Sequence, residues 1–154
     1  MSEQKIQRDL KDALRARDAF RLSVLRMVAG ALQSRQIEKR AHGGDQSVSL
    51  TEEEVLEILK KEVKKRLDAV AEYTKAGRGE LAEKEKLEAE LIQTYLPAEL
   101  DDEALRAIIQ GVVKNFGAIA EKDFGKIMGM AMKETKGRAS GDRVQALVKK
   151  IISG

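Results

Sequence analysis

The chain has a single proline, Pro97, among 154 residues, and this constrains its fold more than any other feature. Proline breaks helices, so its absence elsewhere leaves room for long helices on both sides of residue 97. Ala, Leu, Glu, Lys and Arg dominate the composition, and all five are strong helix formers. No segment alternates strictly between apolar and polar residues, as a half-buried strand would. The sequence therefore predicts an all-α protein.

The same composition excludes several classes of function. There is no cysteine, so disulfide frameworks, thiolate metal sites and cysteine nucleophiles are excluded. With one histidine, a single chain cannot assemble a metal cluster of several histidines. No run of about 18 apolar residues is present, and the amino terminus lacks the apolar stretch of a secretory signal. We therefore expect a soluble, cytoplasmic protein that has no membrane partner, no metal and no cofactor.

Apolar residues at helical spacing predict four helices before Pro97. Asp18 is the expected cap of the second helix, which fades near Arg40 into a polar loop over 41–47 that we expect to be mobile. Thr51 and Glu54 form a capping-box pattern at the start of the third helix. The four predicted apolar faces are Ile6, Leu10, Ala13 and Leu14; Leu22, Leu25, Ala29 and Leu32; Val55, Leu59, Val63, Leu67 and Val70; and Leu81, Leu87, Leu91 and Tyr95.

Gly77 is expected to end the third helix, and the fourth should end near Leu96 because proline disfavours a helical residue before it. After Pro97 the pattern predicts three short helices, which can close into a small bundle. Asp101 and Asp123 are the expected caps, with Gly117 as an end and 136–141 as a turn. The three apolar faces are Leu105, Ile108, Ile109, Val112 and Val113; Phe124, Ile127, Met128 and Met132; and Val144, Leu147, Val148 and Ile151. We therefore predict two domains, a multihelical region over 1–96 and a three-helix bundle over 97–154.

Charge is distributed unevenly behind a net charge of only +3. Residues 1–40 hold ten basic and five acidic residues, whereas residues 41–98 hold nine basic and thirteen acidic ones. Residues 122–150 hold eight basic and three acidic residues. The carboxyl-terminal cluster is the better candidate for binding an anion, because its cations surround a glycine-containing turn.

Helical spacing places part of this cluster on one surface. Lys126 and Lys133 are seven residues apart and share a helix face, and Lys136 follows at the helix end. The turn at Gly137 and Arg138 leads into the last helix, whose free amides favour phosphate. The candidate nucleic-acid-binding residues are Lys126, Lys133, Lys136, Gly137, Arg138 and Arg143.

The alternative interpretation is that these charges form a solvated face, which is common on helical bundles. A second basic run, Lys60, Lys61, Lys64 and Lys65, fits that interpretation because acidic residues interleave with it at pairing distance. Aromatic residues make up only 3% of the chain, too few for a platform on which single-stranded bases stack. Recognition of the backbone and shape of a folded nucleic acid fits better.

Four segments resemble the YqeY-like family, in chain order: 61–66 (Lys-Glu-Val-Lys-Lys-Arg), 76–78 (Ala-Gly-Arg), 95–97 (Tyr-Leu-Pro) and 132–139 (Met-Lys-Glu-Thr-Lys-Gly-Arg-Ala). The last also resembles the tail domain of the B subunit of tRNA-dependent amidotransferases. The resemblance implies an all-helical fold with a three-helix tail that contacts tRNA and does no chemistry. Lys133, Lys136, Gly137 and Arg138 match the tail pattern, whereas Ser140-Gly141 replaces an Asn-Pro-like pair.

The leading hypothesis is a non-catalytic RNA-binding module that contacts tRNA through its tail. An alternative is a protein-interaction adaptor whose first domain docks on an aminoacyl-tRNA synthetase or an amidotransferase component. The third hypothesis is a glutamine-dependent carbon–nitrogen ligase. That enzyme needs a nucleophile and an ammonia channel, and the sequence shows neither.

Overall fold

The computed structural model describes residues 1–43, 48–117 and 121–153. Within these ranges the chain forms seven α-helices and no strand, which confirms the all-α class. A single 3-10 turn, Glu121–Asp123, precedes the sixth helix. The helices are α1 (Ser2–Arg15), α2 (Ala19–Gly43), α3 (Glu52–Lys75), α4 (Gly79–Gln93), α5 (Asp102–Phe116), α6 (Phe124–Thr135) and α7 (Gly141–Ser153).

The chain divides into two compact units, Met1–Leu96 and Pro97–Gly154. The N-terminal unit contains α1 to α4, and the C-terminal unit contains α5 to α7. Each unit has its own apolar core, and the two cores share no residue. None of the described helices combines the length and the apolar character needed to cross a membrane.

The starts of α2 and α3 follow local signals. The Asp18 carboxylate accepts a hydrogen bond from the Arg21 amide at 3.0 Å. The capping box at α3 is complete: the Thr51 hydroxyl accepts from the Glu54 amide at 3.2 Å, and the Glu54 carboxylate accepts from the Thr51 amide at 2.8 Å. Gly77 follows α3 in a left-handed conformation with φ 68°, as expected of a helix end.

The predicted apolar faces of α3 and α4 are wrong in part. Leu67, Leu81 and Leu87 are exposed, and no residue of α3 after Arg66 is buried. The last turns of α3 and the first turns of α4 form a helical hairpin, and a pair of helices cannot cover apolar residues on more than one side. The buried residues of α4 are Ala82, Glu88, Ala89 and Ile92.

One further expectation needs correction in this unit. Helix α2 continues to Gly43, so residues 41–43 belong to it and not to a loop; the rest of the predicted mobile loop, 44–47, lies outside the described residues.

A charged cluster is buried between α3 and α4. Glu88 of α4 lies 3.2 Å from Arg66 of α3. Arg66 also pairs with Glu62 at 2.8 Å, so a charged group joins α3 to α4.

The C-terminal unit follows its predicted plan closely. Asp101 caps α5, accepting from the Ala104 amide at 2.7 Å, and Gly117 ends α5 with φ 87°. Asp123 occupies the N-cap position of α6, but its side chain makes no capping hydrogen bond. Met132 is exposed instead of buried, because Ala131 holds the neighbouring core position. The core residues are Leu100, Leu105, Ile109, Val112, Ile127, Ala131, Ala139, Val144 and Val148.

Candidate nucleic-acid interface

Two lysines share the outward face of α6. The buried residues Ile127, Ala131 and Thr135 define its inner side, and at about 100° per residue Lys126 and Lys133 lie on the opposite side. Seven residues separate them, which is about 10.5 Å along the helix axis. Both are exposed, and neither forms an ion pair with any residue that the structure describes. They therefore present two exposed positive charges to solvent.

Two consecutive left-handed residues form the turn after α6. Lys136 adopts φ 47° and ψ 42°, and Gly137 adopts φ 74°. The Lys136 amide donates to the Lys133 carbonyl at 3.2 Å, and the Arg138 amide donates to the Thr135 carbonyl at 2.9 Å. The glycine is suited to this backbone, but Lys136 carries a Cβ that disfavours it by about 1–2 kcal/mol. The sequence thus places an exposed cation where glycine would be less strained.

The segment leading into α5 fixes this turn. The Leu100 amide donates to the Arg138 carbonyl at 2.8 Å, and the Arg138 Nε donates to the Ala98 carbonyl at 3.0 Å. These two hydrogen bonds hold residues 98–100 against the turn, and they occupy one nitrogen of the Arg138 guanidinium. Arg138 nevertheless stays exposed, and its guanidinium forms no ion pair among the described residues.

Arg143, another predicted contact residue, is engaged inside the unit. Its guanidinium donates to the Asp102 carboxylate at 2.7 Å and to the Leu100 carbonyl at 2.8 Å, and it lies 3.4 Å from the Glu99 carboxylate. The hydrogen bond to Asp102 raises the pKa of Arg143. Two carboxylates thus offset its charge, so we assign Arg143 to bracing the 98–102 segment and exclude it from the candidate surface.

The expected phosphate seat at the start of α7 is also partly filled. The Ser140 hydroxyl accepts a hydrogen bond from the Arg143 amide at 3.3 Å. Asp142 adds a negative charge in the first turn of the helix. The helix start therefore already has an acceptor and an anion. The remaining candidate surface consists of Lys126 and Lys133 on α6, with Lys136 and Arg138 on either side of Gly137.

The sequence does not predict the contacts of Arg143 with the 98–102 segment, because the partners are distant in the chain. Arg143 is 41 residues from Asp102 and 44 from Glu99. The acidic cluster at residues 99–103 is visible in the sequence. Helical spacing cannot relate it to α7, because the two segments belong to different helices. The αL conformation of Lys136 was missed for a related reason, since a Lys-Gly pair at a helix end leaves open which of the two residues turns the chain.

A second polar cluster lies in the N-terminal unit. The buried Tyr95 hydroxyl donates to the Asp9 carboxylate at 2.6 Å, and Arg21 lies 3.6 Å from the same carboxylate. Burial and the contact with Asp9 raise the pKa of Tyr95 to about 12. Tyr95 thus remains protonated near neutral pH and ties the end of α4 to α1.

These features define a small two-unit helical protein whose C-terminal bundle presents exposed cations on α6 and in the left-handed turn after it. The family model described as Yqey-like protein matches residues 3–152, so the chain belongs to the YqeY-like family. The match covers both units and confirms the resemblance drawn from the four sequence segments.

Curated relatives carry the name Altered inheritance of mitochondria protein 41, mitochondrial. The protein from Vanderwaltozyma polyspora is 27% identical over 130 residues, 79% of this chain and 66% of the relative. That from Clavispora lusitaniae is 34% identical over 98 residues, 62% of this chain and 53% of the relative. That from Kluyveromyces lactis is 27% identical over 108 residues, 68% of this chain and 55% of the relative. The chain thus spans about half to two thirds of the length of these relatives.

These names contradict the expected cytoplasmic location, because the relatives are called mitochondrial proteins. The expectation used the lack of an apolar secretory stretch. Mitochondrial targeting segments are amphipathic and rich in arginine, so that criterion does not bear on them.

Proposed function

We propose that the C-terminal unit binds structured RNA without doing chemistry, and that tRNA is the preferred ligand. The observation that carries this proposal is the set of exposed lysines at 126, 133 and 136, which lie on the outward face of α6 and in the clamped turn after it and form no ion pair among the described residues. Lysines bind phosphates as point charges, and the clamped turn fixes the backbone that carries Lys136. The resemblance to the amidotransferase tail supports tRNA within this class of ligand.

The surroundings of the lysines favour recognition of the RNA backbone. The two phenylalanines of the unit, Phe116 and Phe124, pack against its core and are only partly exposed. Stacking of splayed bases needs exposed aromatic rings, so single-strand recognition by this surface is disfavoured. Duplex RNA displays phosphates and 2′-hydroxyls in a fixed shape that cations can follow.

Binding of unfractionated tRNA, measured by fluorescence anisotropy across 50–200 mM salt, tests this proposal. With three to four phosphate contacts, the affinity of the unmodified chain should fall by about two orders of magnitude over this range. The triple variant Lys126→Gln, Lys133→Gln and Lys136→Gln should lower affinity at least about tenfold and reduce the salt slope by about two to three. Glutamine preserves helix propensity in α6.

A matched control removes three lysines of α3 that already have partners. Lys61, Lys64 and Lys75 pair with Glu57, Asp68 and Glu72 at 2.9, 2.9 and 3.2 Å. Changing all three to Gln gives the same change in net charge. If both triple variants weaken tRNA binding equally, only the overall charge matters and the proposed site is wrong.

An adaptor role is the second candidate, and one observation favours it: Leu67, Leu81 and Leu87 are exposed on α3 and α4. Exposed leucines on a helical hairpin suit docking on another protein. The proposed partner is an aminoacyl-tRNA synthetase or an amidotransferase component. Capture of such a partner should survive nuclease and salt, and should be lost when the three leucines are changed to Gln. If nuclease abolishes capture, RNA bridges the two proteins and the adaptor role is rejected.

A further inference from the structure

Helix α1 carries a row of cations that the proposed function does not use. Its buried residues are Ile6 and Ala13. At about 100° per residue, Arg8, Lys11 and Arg15 fall within about 60° of one another on the opposite side. All three are exposed. We call Arg8, Lys11 and Arg15 the α1 basic ridge; it spans about 10.5 Å of helix.

Little within the described structure neutralises this ridge. Arg8 and Lys11 form no ion pair with a described residue, and Arg15 lies 3.6 Å from Asp12. Both partners of that pair are exposed, at 79% and 58%, so water screens the attraction and a phosphate can replace the carboxylate. The neighbouring carboxylate of Asp9 is already engaged by Tyr95 and Arg21.

The turn after α1 repeats the feature that marks the turn after α6. Arg17 adopts φ 54°, and Arg17 and Lys136 are the two non-glycine residues with positive φ among the described residues. Both are exposed cations that follow a helix with outward-facing basic residues. A side chain in this backbone conformation is unfavourable, and such outliers cluster at functional sites. Arg17 thus extends the charge of the α1 basic ridge beyond the helix end.

Two polyanionic surfaces suit such a ridge: a nucleic-acid backbone and an anionic membrane. A helix that lies on a membrane inserts its apolar face among the lipids. Most of the apolar face of α1 is occupied, because Ile6 and Ala13 belong to the core of the N-terminal unit and Leu10 packs against it. Leu14 is exposed, but one leucine gives a helix little apolar surface to insert among lipids. Charge with so small a free apolar face favours the nucleic acid. We propose that the α1 basic ridge and Arg17 form a second binding surface for the phosphodiester backbone of RNA, separate from the surface in the C-terminal unit.

Full-length variants with matched charge test this inference. The ridge variant changes Arg8, Lys11 and Arg15 to Gln; the control variant changes Lys61, Lys64 and Lys75 to Gln. With unfractionated tRNA and with a blunt RNA duplex as probes, the ridge variant should lose about fivefold to tenfold in affinity, and its salt slope should fall by about two. The control variant should keep the slope of the unmodified chain. Circular dichroism should show equal helical content in all three proteins.

Every outcome decides between the two surfaces. If the ridge variant matches the control on both probes, the second surface is rejected, while a loss in the Lys126, Lys133 and Lys136 triple variant still supports the C-terminal site. If the ridge variant loses affinity and that triple variant does not, the second surface stands and the proposed function of the C-terminal unit fails. Vesicles of 30% phosphatidylserine in phosphatidylcholine give the membrane comparison. Ridge-dependent binding to these vesicles with unchanged RNA affinity overturns the inference.

Discussion

Lys136 pays a conformational cost that a glycine would avoid, since its φ of 47° brings its Cβ close to its own backbone. Changing Lys136 to Gly should therefore raise the free energy of unfolding of the C-terminal unit by about 1 kcal/mol. The same change should weaken tRNA binding about threefold, because one phosphate contact is lost. Thermal unfolding and anisotropy titrations measure the two effects. A variant that is more stable and binds equally well would show that Lys136 has no part in the interface.

Arg143 and Lys133 provide a contrast between bracing and binding. Arg143 donates hydrogen bonds to Leu100 and Asp102, whereas Lys133 is exposed without an ion pair among the described residues. Changing Arg143 to Met should lower the free energy of unfolding of the C-terminal unit, because its hydrogen bonds to the 98–102 segment are lost, and should leave the salt slope of tRNA binding unchanged. Changing Lys133 to Met should reduce the slope by about one with little effect on stability. If Arg143→Met reduces the salt slope and Lys133→Met does not, then Arg143 contacts the RNA and Lys133 does not.

At the scale of helices, the sequence is a good guide to where they start and a poorer guide to which side they bury. The caps at Thr51 and Asp101 were predicted because both partners of each hydrogen bond lie within four residues. The buried face of α4 could not be predicted, because choosing Ala89 and Ile92 over Leu87 requires knowing where α3 lies. The candidate interface shows the same limit. The shared face of Lys126 and Lys133 follows from helical spacing, but excluding Arg143 from the interface depends on contacts across the bundle.

The buried cluster that joins α3 to α4 makes the stability of the N-terminal unit depend on pH. Burial raises the pKa of Glu62, but hydrogen bonds from Lys65 and Arg66 outweigh it, so the pKa lies below its usual value of 4.5. A carboxyl whose pKa is lower in the folded state contributes stability above pH 4.5, and that contribution is lost as pH falls through the lowered pKa. Urea unfolding at pH 7 and pH 3 should therefore show a smaller difference in Glu62→Gln than in the unmodified chain.

Glu57→Gln is the control for this pH experiment, because Glu57 pairs with Lys61 on the exposed side of α3. That variant should retain the full difference between the two pH values. Glu52 and Glu54 also have lowered pKa values, through hydrogen bonds from Ser2 and from Lys39, so some pH dependence should remain in Glu62→Gln. An unchanged difference in Glu62→Gln would mean that the buried cluster is not the source of the dependence.

The whole molecule consists of two units with separate cores, and this separation has a direct consequence for folding. The core of Pro97–Gly154 is built from α5, α6 and α7 together with Leu100 and Ala139. The bonds that clamp the turn, from Leu100 to Arg138 and from Arg138 to Ala98, also lie within this unit. The described residues that form its core and its candidate interface all lie within 97–154.

A fragment of residues 97–154 should therefore fold alone and keep the lysine-dependent part of tRNA binding. Domains of this size bury only about 60% of their unfolded surface, so we expect a cooperative but low-melting transition. Both tyrosines, Tyr73 and Tyr95, lie outside the fragment, so dispersed amide and methyl NMR signals are the appropriate measure of fixed packing. The fragment should bind more weakly than the full chain, since it lacks the α1 basic ridge, and the Lys126, Lys133 and Lys136 triple variant should still weaken it at least about tenfold. Equal affinity of fragment and full chain would confine all RNA binding to the C-terminal unit, whereas collapsed NMR dispersion would show that its core depends on the first unit after all.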